Sequence, residues 1–365
     1  MAAQIYSTAA SILPRLRWAY VGSRTEDKAQ GKGISVFRMD TASGSWTPVE
    51  VLGEMVNPSF LALDRTGQYL YTVHGTLGGI TAFRIDRQTG RLTQISHQAT
   101  MMNPVHLAAD ATNRYMIVAN LGSNVLALHA LHADGTLGPM FGSVMPPQHK
   151  SETGQVQKPK PHQCTLDPSG RYIVVPDKGV DRVFVYRISE GKLVLNDTPS
   201  AVAQPGAGPR HVDFHPKGSW AYVVNELNST ITAYHFDAQS GALTTLQTLS
   251  TLPPDFKDKN KPAEVYVTPN GKFVYASNRG HNSLAIFAID PLRGTLTLHG
   301  WEPTQGRTPR YFCLDPTGTF LYAANENGHN VVTFQVDQEN GKLTPTGQVV
   351  SVGSPVCIVF ADYVA

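Results

Sequence analysis

One motif returns along this chain and limits its fold more than any other property. Each copy is a short strand, a tight turn and a second strand rich in aromatic and β-branched residues. The clearest copy runs from Gly208-Pro209-Arg210-His211 to Val224-Asn225-Glu226. Val212–Phe214 reads as its first strand. His215-Pro216-Lys217-Gly218 carries turn chemistry, because Pro pre-sets φ and Gly takes positive φ at no steric cost. Trp220–Val224 reads as the second strand. Five further copies place their turns at positions 64, 110, 167, 268 and 315. The spacing, roughly 46 to 57 residues, is that of propeller blades.

A second hairpin follows each first one. Gly79–Asp86 with Gly90–Thr93, Asn282–Asp290 with Gly294–Thr297 and Val331–Asp337 with Gly341–Thr344 are examples. Seven second hairpins face only six complete first hairpins, and the two ends of the chain account for the shortfall. Pro355–Asp362 reads as a first strand and Trp18–Gly22 as a second strand. Pairing them completes a seventh blade and leaves no open sheet edge in the ring. The expectation is an all-β, seven-bladed β-propeller of four-stranded antiparallel blades. Residues 18–365 form one domain after an N-terminal extension, 1–17.

Composition agrees with a folded, turn-rich chain: 16% charged and 41% hydrophobic residues with 32 Gly and 25 Pro among 365. A net charge of +2 implies no general affinity for nucleic acid or acidic membranes. No apolar run is long enough to span a bilayer. Cys164, Cys313 and Cys357 are odd in number and form no CxxC. They are expected as reduced, buried strand residues. With no basic segment leading into a long apolar core near Met1, the expected compartment is the cytoplasm.

The register of the repeat gathers polar residues at one end. Counted from each turn position, the residues five earlier are Ser59, Val105, His162, Arg210, Ala263 and Arg310. His106, His211 and Glu264 stand four earlier, and Glu226, Arg279 and Glu326 eleven later. Antiparallel strands double back, so all of these share one end of the innermost hairpins, around the central channel. Asn225, Asn278 and Asn325, ten later, suit a backbone that is turning and are expected to be structural. Polar groups from separate blades converging on one concavity form a ligand site.

There is no HExxH, EF-hand loop, P-loop, dinucleotide fingerprint or G-x-S-x-G elbow, so neither a metal nor another cofactor is expected. His106, His162 and His211 have the chemistry to hold an ion, but the neighbouring arginines argue against a cation there. The remaining His, Arg and Glu suit acid–base chemistry on a carboxylate- or phosphate-bearing substrate. Arginine holds an anion bidentately or stabilises a developing oxyanion. Histidine or glutamate takes a proton from water or carbon. Lactone hydrolysis fits, and so does proton transfer coupled to lactone closure.

With these residues laid out, the sequence resembles the seven-bladed-propeller lactonase family, which includes propeller-type 6-phosphogluconolactonases and a fungal carboxy-cis,cis-muconate cyclising enzyme. The resemblance runs from Tyr20-Val21-Gly22 to Ser354-Pro355-Val356-Cys357. It rests most on Gly206-Ala207-Gly208-Pro209-Arg210-His211, Val224-Asn225-Glu226-Leu227-Asn228-Ser229 and Ser277-Asn278-Arg279-Gly280-His281. It implies catalytic roles for His162, Arg210, Glu226 and Arg279, with either His162 or Glu226 as the base. His106, His211 and Arg310 are expected to bind substrate. The implied ligand is a small anionic lactone, foremost 6-phosphogluconolactone, and the assembly a monomer or homodimer. A muconate-type cycloisomerase is the alternative within enzymes. A non-catalytic interaction platform is the alternative outside them, and it calls for apolar and aromatic residues at the mouth.

Overall fold

The computed structural model describes residues 16–150 and 154–364. Among the described residues there is no helix. Seven antiparallel sheets form the blades. Blade 1 joins the two ends of the chain: Leu16–Ser23 lies between Ile34–Asp40 and Pro355–Asp362, with Tyr20 opposite Val359. Leu16 and Arg17, placed in the extension by the sequence reading, open this strand. Blades 2 to 7 begin with the inner strands Pro58–Leu63, Pro104–Ala109, Thr165–Leu166, Pro209–Phe214, Lys261–Val267 and Pro309–Leu314.

Blade 4 departs from the expected plan. Its outer edge is supplied in two pieces, Lys192–Leu195 and Ala201–Val202, both paired to Arg182–Ser189. Its inner strand is cut to two residues, and a bridge from Pro161 to Asp177 continues the line. The Lys-rich stretch before it holds a small ribbon, His149–Lys150 against Val156–Gln157.

The core lies between blades, where apolar residues alternating along the strands of adjacent sheets interdigitate. A repeated tyrosine ties neighbours together. The buried hydroxyls of Tyr20, Tyr71, Tyr222, Tyr275 and Tyr322 donate to the carbonyls of Gly90, Gly135, Gly294, Gly341 and Gly44, each in an outer turn of the next blade. A buried hydroxyl thereby finds a partner while its ring fills the core.

A second device repeats at the channel. Inner strands open with a left-handed residue, then Pro, then a bulged residue. Asn57, Asn103, Gly208, Thr308 and Ser354 all have positive φ and all precede Pro. Just after each of these prolines, or across from it, the register slips by one residue. A bulge re-aims the side chain it carries. The bulged residues are Ser59, Val105, Arg210, Arg310 and Val356, and all five line the cavity at the ring's centre.

Candidate functional site

Three rings of side chains surround the mouth of the channel. The outermost lies at, or one residue past, the end of the second strands. Lys178, Glu226, Arg279, Glu326 and Arg24 occupy this position in blades 4, 5, 6, 7 and 1, so the sign of charge alternates around the rim. Neighbours pair across blades. Lys178 Nζ lies 3.0 Å from Glu226 Oε1, Arg279 Nη2 3.3 Å from Glu226 Oε2, and Arg24 Nε 3.1 Å from Glu326 Oε1. Lys178 escaped the sequence reading although it stands eleven residues after turn position 167, the register that selected Glu226 and Arg279.

Close approach of the backbone seats this rim. Gly208 has φ +64 and its N–H donates to Asp181 Oδ1 at 2.8 Å. Gly280, next to Arg279, has φ +143, and a Cβ there would lie 2.2 Å from the Lys259 carbonyl oxygen. Arg279 donates through Nε to the Lys261 carbonyl at 3.0 Å and through Nη2 to that of Pro262 at 3.2 Å.

The second ring is that of the bulged residues. Arg210 is 3% exposed, yet it is a cation. Its Nη1 donates to the Ala263 carbonyl, and its Nε forms an ion pair with Glu226 Oε2 at 3.1 Å. Arg310 Nη1 lies 3.8 Å from Glu326 Oε2. His162 holds the equivalent place in blade 4, fixed by its backbone N–H donating to the Pro176 carbonyl at 3.1 Å. The third ring, one residue further along, includes Phe60, His106, Gln163, His211, Glu264 and Tyr311. Gln163 Oε1 accepts the Val212 N–H across the blade boundary at 2.6 Å.

These rings enclose a cavity of about 160 Å³ whose wall includes Arg24, Ser59, His162, Arg210, His211 and Arg310. The four expected catalytic residues therefore divide. His162 and Arg210 line the cavity. Glu226 and Arg279 do not, and they reach it through Arg210. Of the expected binding residues, His211 and Arg310 line it. His106 is not part of the wall: it packs on Phe60 at 4.2 Å, and its Nδ1 accepts the Cys164 N–H at 3.4 Å. The aromatic wall residues Phe60 and Tyr311, together with Asn57 and Asn103, were missed. The repeated dipeptides Asn57-Pro58, Asn103-Pro104 and Thr308-Pro309 were the signal that marks them.

Electrostatics separate the titratable groups. Burial raises the Glu226 carboxyl, but Arg210, Arg279 and Lys178 outweigh it and hold the pKa at about 2. Burial, with repulsion from Arg310, lowers the Arg210 guanidinium to about 10, and burial, with repulsion from Arg210 and Arg310, lowers that of Arg279 to about 9. Burial, reinforced by nearby cations, holds His106, His162 and His211 well below the usual imidazole range, so all three rings are neutral at physiological pH. The His162 and His211 centroids are 5.2 Å apart. His162 Nδ1, His211 Nε2 and Ser59 Oγ are buried at the cavity without a hydrogen-bond partner in the protein. A buried polar atom left without a partner is costly, and a ligand's hydrogen bonds remove that cost.

The model of the lactonase family of seven-bladed β-propellers matches residues 18–360. The chain belongs to that family. It is 34% identical over 353 residues to a 6-phosphogluconolactonase of Bacillus subtilis, covering 94% of this chain and 98% of that one. Among solved structures, a periplasmic gluconolactonase of Pseudomonas aeruginosa superposes with a TM-score of 0.88 at 31% identity, covering 96% of this chain and 100% of that one. A Lactobacillus plantarum protein superposes with a TM-score of 0.84 at 32% identity, covering 95% and 100%. The Pseudomonas neighbour is periplasmic, so family membership does not carry the cytoplasmic placement expected from the sequence. Among the described residues no helix is long and apolar enough to cross a membrane.

Proposed function

We propose that this protein hydrolyses an anionic sugar lactone, 6-phosphogluconolactone foremost, without a cofactor. The observation that carries this reading is the charge balance at the mouth. Arg24, Lys178, Arg210, Arg279 and Arg310 converge there against the carboxylates of Glu226 and Glu326. A low-dielectric funnel with excess cation concentrates an anionic ligand and strengthens each contact to it. The names of the Bacillus and Pseudomonas relatives favour hydrolysis over the lactone-forming direction that the same motifs allow.

In this reading Arg210 faces the lactone carbonyl and stabilises the oxyanion that forms when water adds. Arg310 and Arg24 hold the anionic group of the substrate. Glu226 is a weak base, because three cations stabilise its ionised form. Its part is to hold Arg210 and Arg279 in place. A neutral imidazole on the wall takes the proton from water. Burial and the nearby cations keep that imidazole from protonating, and an anion bound beside the arginines offsets the second of these. Freshly prepared 6-phosphogluconolactone, followed by proton release, tests the reading. Turnover well above spontaneous hydrolysis is expected, and its absence would overturn the proposal.

A further inference from the structure

His211 closes one of the family motifs and was expected only to bind substrate, and Glu264 belongs to none of the motifs quoted above. They occupy the same position in adjacent blades, in the third ring. They are 2% and 5% exposed. His211 Nδ1 lies 2.9 Å from Glu264 Oε1. That oxygen also accepts the Val265 N–H at 3.1 Å. Because Oε1 already accepts the Val265 N–H, we assign it as the acceptor for the imidazole too, with the proton on Nδ1. Neutral imidazole has one N–H, which leaves the lone pair on Nε2. Nε2 is buried without a hydrogen-bond partner, and His211 is one of the residues lining the cavity.

The other two imidazoles are not arranged this way. The His162 ring makes no hydrogen bond to a described residue, so nothing fixes its tautomer. His106 spends Nδ1 on the Cys164 backbone and stands behind the wall. On a residue that lines the cavity, an imidazole with one nitrogen held by a carboxyl group and the other left unpaired is suited to general-base catalysis.

We propose that His211 is the general base of this site and that Glu264 is the residue that positions it. The inference rests on the lactonase reading above. As the water oxygen bonds to the lactone carbonyl carbon, one of its protons passes to His211 Nε2, and the carbonyl π pair moves onto oxygen beside Arg210. The tetrahedral intermediate then re-forms the carbonyl and breaks the bond from that carbon to the ring oxygen. The ring oxygen takes the proton back from Nε2. The product is a hydroxy acid, which loses its carboxyl proton to solvent, and the imidazole is restored. Burial makes the Glu264 carboxyl hard to ionise, so near neutrality it serves as a neutral acceptor for Nδ1–H.

The test uses His211→Asn, His162→Asn, Glu264→Gln and Glu264→Leu in the full chain, with kcat, KM and a thermal melt for each on 6-phosphogluconolactone. His211→Asn should lower kcat by about 10²–10⁴ with KM little changed. His162→Asn should act mainly on KM. Glu264→Leu should lower kcat by about 10², whereas Glu264→Gln, whose oxygen the Val265 N–H keeps on the imidazole side, should restore it to within about tenfold of the wild type. A folded His211→Asn variant with wild-type kcat would overturn the assignment and leave the lactonase reading standing. Equal damage from Glu264→Gln and Glu264→Leu would overturn the positioning role, and that pair decides the matter even if His211→Asn fails to fold. A wild-type protein silent on lactones would overturn both readings.

Discussion

The same hairpins end in two different ways. At the end away from the mouth, an aspartate closes the turn on itself. Asp64 Oδ1 accepts the Gln68 and Tyr69 N–H groups at 3.0 Å each, and Oδ2 accepts the Thr66 N–H at 3.0 Å. Asp315 does the same with Phe320 at 2.8 Å and Thr317 at 3.0 Å. Most of the donors to these aspartates come from within a few residues, although Asn113 of the next blade also donates to Asp64 Oδ2 at 3.0 Å. At the mouth the hairpins end in cations and carboxylates that pair largely across blades, with residues dozens of positions away, and several buried atoms have no partner among the described residues. One end is locally satisfied and holds the fold. The other is satisfied only by assembling the ring and admitting a ligand.

Substitutions at the two ends should therefore separate activity from stability. Arg210→Ala should reduce kcat/KM on 6-phosphogluconolactone by about 10³, the scale of losing an oxyanion donor, while the protein stays folded. Asp315→Ala should leave kcat/KM unchanged and lower the melting temperature by a few degrees, because it strips one turn of its acceptors. Steady-state kinetics beside a thermal melt reads both. If Asp315→Ala removed activity as thoroughly as Arg210→Ala, the contrast between the ends would fail.

A smaller effect sharpens the account of the rim. Lys178→Met removes one positive charge and frees Glu226 Oε1. It should weaken kcat/KM on the phosphorylated lactone by about tenfold, worth about 1.4 kcal/mol, and leave a neutral lactone almost unaffected. Equal losses on both substrates would assign Lys178 a packing role instead.

The smallest effect concerns pH. Asp213, lower in the channel, accepts the Val267 N–H at 2.7 Å, and burial raises its pKa to about 7. Burial also raises Glu264, to about 8. Between the ordinary carboxyl range near about 4 and these values, the folded protein binds more protons than the unfolded chain. Stability should therefore fall as pH rises from about 4 toward 7 and 8, and level off above those values. Asp213→Asn should flatten that decline between about pH 5 and pH 7 in thermal melts. An unchanged slope would show that Asp213 does not titrate in the folded protein.

Most of the fold was legible because its signals are local. Turn residues, alternation and strand composition repeat within some twenty residues, and closure of blade 1 followed from counting hairpins. Arg210, Glu226 and Arg279 were legible for the same reason, since the register places them at one end. What the register does not convey is which neighbour a side chain meets. His211 and Glu264 are 53 residues apart, and Lys178 and Glu226 are 48 apart. Those pairs exist only because adjacent blades pack. His106 shows the converse: its register is right, but a backbone N–H from the next blade takes the nitrogen that would have faced a ligand.

The claim at the centre of this account is that the excess of cations at the mouth selects an anionic lactone. Its most direct test is kcat/KM of the wild-type protein on 6-phosphogluconolactone and on unphosphorylated gluconolactone, measured side by side with spontaneous hydrolysis subtracted. A preference of about 10² or more for the phosphorylated lactone, equivalent to two tenfold steps in free energy, is the expected result. Equal turnover of the two, or a preference for the neutral lactone, would contradict it.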